Sequence, residues 1–218
     1  GVFVRLGLFG GTFNPIHLGH LRAGVEVREA FNLDRLLLIP SARPPHKSTD
    51  ENVAGAKDRL DMVRQAVKGV PYLEASDVEL ARSGPSYTIG TLRYFQNDSG
   101  QNSAIYFIVG LDAFSEITTW KSYRQLFATA DFIVMTRPGS KLKNLSSFIH
   151  THISKEYQYE SASNRYHHPG WCSIFCLNIT HLDISATQIR KRIRQGRSIR
   201  FLVPDTIDGF IKKKGLYR

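Results

Sequence analysis

The stretches AIYFIVG (residues 104–110) and DFIVMT (131–136) are almost wholly apolar, and a short strand carries such a run only when both of its faces are covered. Similar β-rich runs, VFVRLGLF, RLLLIP and YLEASDVEL, alternate with segments of helical period at 18–31, 57–67, 87–95 and 123–129. That alternation predicts parallel strands joined by crossover helices, hence an α/β fold with an open, doubly wound parallel sheet. The expectation is one domain over 1–218, with a less regular insertion around 139–171. A chain of 218 residues buries enough surface to need neither metal nor disulfide for its core. Sheets of this kind bind ligands at the carboxyl ends of their strands, where the strand order reverses. The turns to read are therefore GGTFNPIH, PSARPPHK, GLD and TRPG.

Composition narrows the function. The longest aliphatic run is 36–39, far short of the roughly 18 apolar residues of a spanning helix, which argues against a membrane protein. The opening GVFVRLGLFGG has no basic leader with an apolar core behind it, and two cysteines suit a reducing compartment, so a cytoplasmic protein is expected. Net charge is +10, and residues 185–218 alone hold ten basic side chains against two acidic ones. The field is concentrated in that segment, which leaves phosphorylated metabolites, nucleic acid and a plain solvated helix as its readings.

The first turn carries the densest chemistry. Gly10 and Gly11 permit a tight turn and let backbone amides approach a ligand; Thr12, Phe13 and Asn14 follow. His17 and His20 then lie in the first turn of the helix, with Gly19 keeping the surface between them low. A helix N-terminus attracts phosphate through unpaired N–H groups and its dipole, and two imidazoles would add donors. A single histidine there would more often be a cap or a core residue. Ser185 and Thr187 open a second helix, with Arg190 one turn along, where the guanidinium can reach an anion on that terminus. The plainer reading has Ser185 capping the helix and Arg190 sharing a basic face with Arg194 and Arg197. Lys47 in PHK offers a point charge on a polar loop. Ser86, before Tyr87 and Thr88, suits a helix cap. Gly110 and Asp112 form a turn at a strand end. Trp120 can stack on a planar ring or simply pack, and Arg137 places a cation at the carboxyl edge of the sheet. His167, His168, Cys172 and Cys176 lack the spacing of a standard zinc unit, and on one strand the cysteines would sit about 13 Å apart, so neither metal nor disulfide is expected.

The string GGTFNPIHLGH resembles the signature of the nucleotidyltransferase superfamily, whose HxGH motif is here His17, Leu18, Gly19 and His20. With GGTF ahead of it, the string is similar to that of the bacterial nicotinate-mononucleotide adenylyltransferases. ISATQIR matches the second phosphate-binding motif of that family, and LVPDTIDGFIKKKGLYR its ending. The resemblance implies a Rossmann-like nucleotidyltransferase fold with C-terminal helices. It implies adenylyl transfer from ATP, with Mg2+, to nicotinate mononucleotide, giving deamido-NAD and pyrophosphate. It assigns Gly10, Gly11, Thr12, Phe13, His17, His20, Gly110, Asp112, Ser185, Thr187 and Arg190 to ATP. Asn14, Lys47, Ser86, Tyr87, Thr88, Trp120 and Arg137 go to the mononucleotide, and His17, His20, Lys47 and Arg190 to catalysis. An amide or phosphopantetheine substrate is the alternative inside the superfamily. An RNA-binding module is the alternative outside it, with no KMSKS string to support it. Association into a homo-oligomer stays open.

Overall fold

The computed structural model describes residues 3–42, 52–82, 85–99, 102–139 and 142–218. Lys47 lies outside the described residues. The chain runs through β1 (Val4–Gly11), α1 (Leu18–Phe31), β2 (Arg35–Pro40), α2 (Ala56–Val67), β3 (Leu73–Ala75), α3 (Thr88–Ser99), β4 (Ser103–Gly110) and α4 (Leu111–Ser115). It continues through α5 (Tyr123–Thr129), β5 (Asp131–Thr136), α6 (Leu142–His152), β6 (Gln158–Glu160), β7 (Arg165–His167), β8 (Ile174–Asn178), α7 (Ala186–Arg194) and α8 (Asp205–Lys214).

These strands form one sheet in the order β3-β2-β1-β4-β5-β8-β7-β6. Every pairing from β3 to β8 is parallel, and β7 is antiparallel to both of its neighbours, β8 and β6. The order reverses between β1 and β4, so the turns after these two strands open on the same crevice. The pleat sorts side chains between two cores: Leu37, Ile39, Phe107 and Phe132 pack with Leu92 and Phe127, while Leu36, Leu38, Ile108 and Ile133 pack with Val27, Met62, Val63, Ile189 and Ile207. Helices on both faces are what the continuous apolar strands require.

Two expectations change. Of YLEASDVEL only Leu73–Ala75 is strand; the chain then turns away, with the Asp77 carbonyl accepting from the amides of Leu80 and Ala81. The stretch around 139–171 is more regular than its sequence suggests. It forms α6 and a hairpin, β6 and β7, that extends the sheet beyond β8. Strands of three residues are too short to print a period of two, and the side chains of β6 all face solvent. Cys172 precedes β8 and Cys176 sits on it; both thiols are free, and burial pushes each up to about 11, so they stay protonated at neutral pH. Among the described residues no three His, Cys, Asp or Glu side chains converge as a metal set.

Candidate active site

The N-terminus of α1 is closed by its own histidines. His17 is the N-cap, and its Nδ1 accepts the Gly19 amide at 3.0 Å. Nδ1 of His20 accepts the His17 amide at 3.1 Å, completing a reciprocal capping box, and the Leu18 amide donates to the Leu202 carbonyl at 3.0 Å. First-turn amides expected to meet a phosphate are therefore already spent. With both Nδ1 atoms accepting, each neutral ring carries its proton on Nε2. Burial pulls His17 down to about 4, and burial with the adjoining His17 charge pulls His20 well below its ordinary value, so both are uncharged near pH 7. The rings stack 3.7 Å apart, and Phe13 meets His20 edge-on at 5.1 Å. The pair offers fixed neutral donors, not cations. Gly19 serves a sharper need than a low surface: a Cβ there would lie 2.8 Å from His17 Cε1, where the ring folds back over it.

The first turn is held from beneath by the far end of the chain. Asn14 is buried; its Nδ2 donates to the Asn52 carbonyl, and its Oδ1 accepts from the Ala54 amide and from the Tyr217 hydroxyl at 2.6 Å. Arg190 Nη1 donates to the Asn14 carbonyl at 2.8 Å, and Nη2 to Thr187 Oγ1 at 3.4 Å. The two helix junctions thus converge. Their side chains play different parts, however. Asn14 and Arg190 brace the turn and line neither cavity described below, while Ser185 Oγ caps α7 by accepting the Gln188 amide at 3.1 Å.

One brace has no motif to announce it. Arg59, 1% exposed, donates from Nε to the Ala54 carbonyl at 2.9 Å, from Nη1 to Thr12 at 2.9 Å and Ser41 at 2.7 Å, and from Nη2 to Ala42 at 3.4 Å. Its only sequence signal is phase: it stands four and eight residues before Val63 and Val67 on the buried stripe of α2.

Two cavities open at the carboxyl ends of β1 and β4. The smaller, about 290 Å3, is lined by His17, His20, Gly110, Asp112, Arg137 and Ile184 among others. The larger, about 540 Å3, takes in Gly10, Gly11, Thr12 and Phe13, with Ser86, Tyr87, Thr88, Phe107 and Trp120 across from them. They share Phe9, His20, Gly110 and Met135. Arg137, which the resemblance gave to the mononucleotide, lines the smaller cavity 3.6 Å from Asp112. Trp120 both packs, edge-on to Phe107 at 6.0 Å, and walls the larger cavity. Ser86 does not cap α3; it is buried and donates to the Glu79 carbonyl at 2.9 Å. Glu79 is a second residue that the motifs miss. Burial pushes its carboxyl up, opposed by the Thr91 hydroxyl on Oε2 and by Arg82, which itself donates to Thr91 Oγ1.

The chain matches the cytidylyltransferase-like family over residues 8–192. It is 45% identical over 226 residues to a protein of Desulfatibacillum aliphaticivorans named probable nicotinate-nucleotide adenylyltransferase, across 98% of this chain and 100% of that one. A protein of the same name from Geobacter sp. (strain M21) is 42% identical over 214 residues, across 98% of each chain. Among solved structures, Plasmodium falciparum nicotinic acid mononucleotide adenylyltransferase complexed with NaAD superposes with a TM-score of 0.73 at 19% identity, over 98% of this chain and 97% of that chain, a likeness of fold.

Proposed function

This chain belongs to the cytidylyltransferase-like family and, within it, to the nicotinate-nucleotide adenylyltransferases, and from that premise we propose that it transfers the adenylyl group of ATP to nicotinate mononucleotide. The observation that carries the reading is the junction of two cavities at His20 and Gly110. Two substrates entering from either side would meet beside the histidine pair. The larger cavity, walled by Phe107, Tyr87 and Trp120, suits the mononucleotide with its flat pyridine ring, so Gly10, Gly11, Thr12 and Phe13, which the resemblance gave to ATP, would lie on the mononucleotide side; the smaller cavity suits ATP.

In this reading an oxygen of the mononucleotide 5′-phosphate attacks the α-phosphorus in line. A new P–O bond forms as the bond to pyrophosphate breaks. The nucleophile is already an anion, so no general base is needed, and the histidines lose nothing by having their Nδ1 lone pairs engaged by backbone amides. Their Nε2–H groups stabilise charge on the transferring phosphoryl, and the stack and capping box hold them in place beforehand. We assign Lys47, on sequence alone, to the triphosphate. Mg2+ would enter on phosphate oxygens, with Asp112 as the carboxylate lining the smaller cavity. When bound, it would offset charge on the departing pyrophosphate.

The test is pyrophosphate release from ATP and Mg2+ with nicotinate mononucleotide, its amide, or phosphopantetheine. Turnover is expected with the acid above the others, and none with the acid would end the reading. Gly19→Ala is expected to lower kcat by about ten- to a hundredfold, because the added methyl displaces the His17 ring. Unchanged kinetics in a folded variant would show that the ring has room to move.

A further inference from the structure

Three cationic side chains line a third cavity that shares no residue with the two at the strand ends. It lies between α7 and α8, has a volume of about 370 Å3, and carries Arg197, Lys212 and Arg218 with Asp208 as its carboxylate. Ile199, Ile211 and Leu216 supply an apolar surface beside them, and the space is that of a small-molecule site. Asp208 pairs with Lys212 at 3.4 Å, one turn along α8. Among the described residues no carboxylate pairs with Arg197 or Arg218. Helix dipoles account for the basic last turns of α7 and α8. Arg197 and Arg218 lie past those turns, where that field has fallen off, and still line the same hollow as Lys212. Arg218 is packed over Gly215, its Cζ 3.8 Å from the place that a Cβ would take.

We propose that this cavity binds a small organic phosphate, with the phosphate on Arg197, Arg218 and Lys212 and the organic part on Ile199, Ile211 and Leu216. Three cations against one carboxylate leave a formal +2, which a phosphate monoester of about −2 balances. Two arginines can grip such a group through their planar forks, and Lys212 adds a point charge. The cavity also adjoins the braces of the first turn. Leu216 and Arg218 flank Tyr217, whose hydroxyl reaches Asn14, and Ile193 in its lining stands one turn beyond Arg190.

The experiment titrates n-butyl phosphate and inorganic phosphate into the full chain by calorimetry, with excess deamido-NAD present to fill the candidate active site. One equivalent of butyl phosphate is expected to bind, about five- to tenfold more tightly than inorganic phosphate because of its apolar contact. The double variant Arg197→Gln/Arg218→Gln should weaken that binding by about tenfold. Arg194→Gln/Arg200→Gln removes as much charge from outside the cavity and should change it by less than about twofold. The comparison of the two double variants does not depend on which nucleotide the active site takes. No binding to the wild type, an equal loss in both double variants, or equal affinity for the two phosphates overturns the proposal.

Discussion

Replacing His20 with alanine lowers kcat by about two to three orders of magnitude, the effect of removing one preorganised donor aimed at developing charge. The side chain stands where the two cavities meet, so its Nε2–H is the donor nearest to both substrates in the proposed arrangement. The substitution also frees the His17 amide and removes the ring that His17 stacks on. Loss of the cap alone costs about 1 kcal/mol of stability, which is too little to unfold a domain and leaves the kinetic effect readable. The measurement is steady-state pyrophosphate release, with thermal denaturation alongside. A near-normal turnover number would remove His20 from the chemistry.

The same neutrality sets the pH response. His17 has a folded value of about 4 against an ordinary 6.5, so between these values the unfolded chain binds the extra proton. Its contribution to stability is complete above about pH 6.5 and is lost as pH falls toward 4. Turnover should show no loss from His17 protonation between pH 8 and 6, since the ring stays an uncharged donor throughout.

What the sequence disclosed follows from how locally each feature is encoded. The apolar runs of β4 and β5 announce a doubly covered parallel sheet because continuous hydrophobicity has few other uses at that length. The histidine pair is likewise contiguous and could be read directly. Its hydrogen-bond polarity could not, because it depends on ring rotamers and on a carbonyl from Leu202. Asn14 and Arg190 were visible as parts of the site but not in their bracing roles, since their partners lie at the opposite end of the chain. Glu79 and Arg59 belong to no spaced motif. The three-residue strands β6 and β7 fall below the length at which periodicity speaks.

Arg59 yields the largest expected loss of stability. Arg59→Met keeps much of the side-chain volume and removes all five donors, so the cost is almost wholly polar. The carbonyls of Thr12, Ser41, Ala42 and Ala54 lose a charged donor in a part-buried setting. At the strength of hydrogen bonds to charged groups, with some relaxation toward water, the loss comes to about 3–4 kcal/mol. For a chain of this size that is a fall in Tm of roughly 10 °C. Burial draws the guanidinium's pKa down, yet arginine starts so high that the group stays charged, and its planar fork is what lets one side chain serve carbonyls from separate segments. Arg59→Lys should therefore recover less than half of the loss, because a single ammonium on a shorter reach cannot span Thr12, Ser41 and Ala54 together. Thermal denaturation of the two variants decides the matter. A Tm for Arg59→Met within about 2 °C of the parent would mean that the carbonyls find water at little cost, and the clasp would then be incidental to the fold.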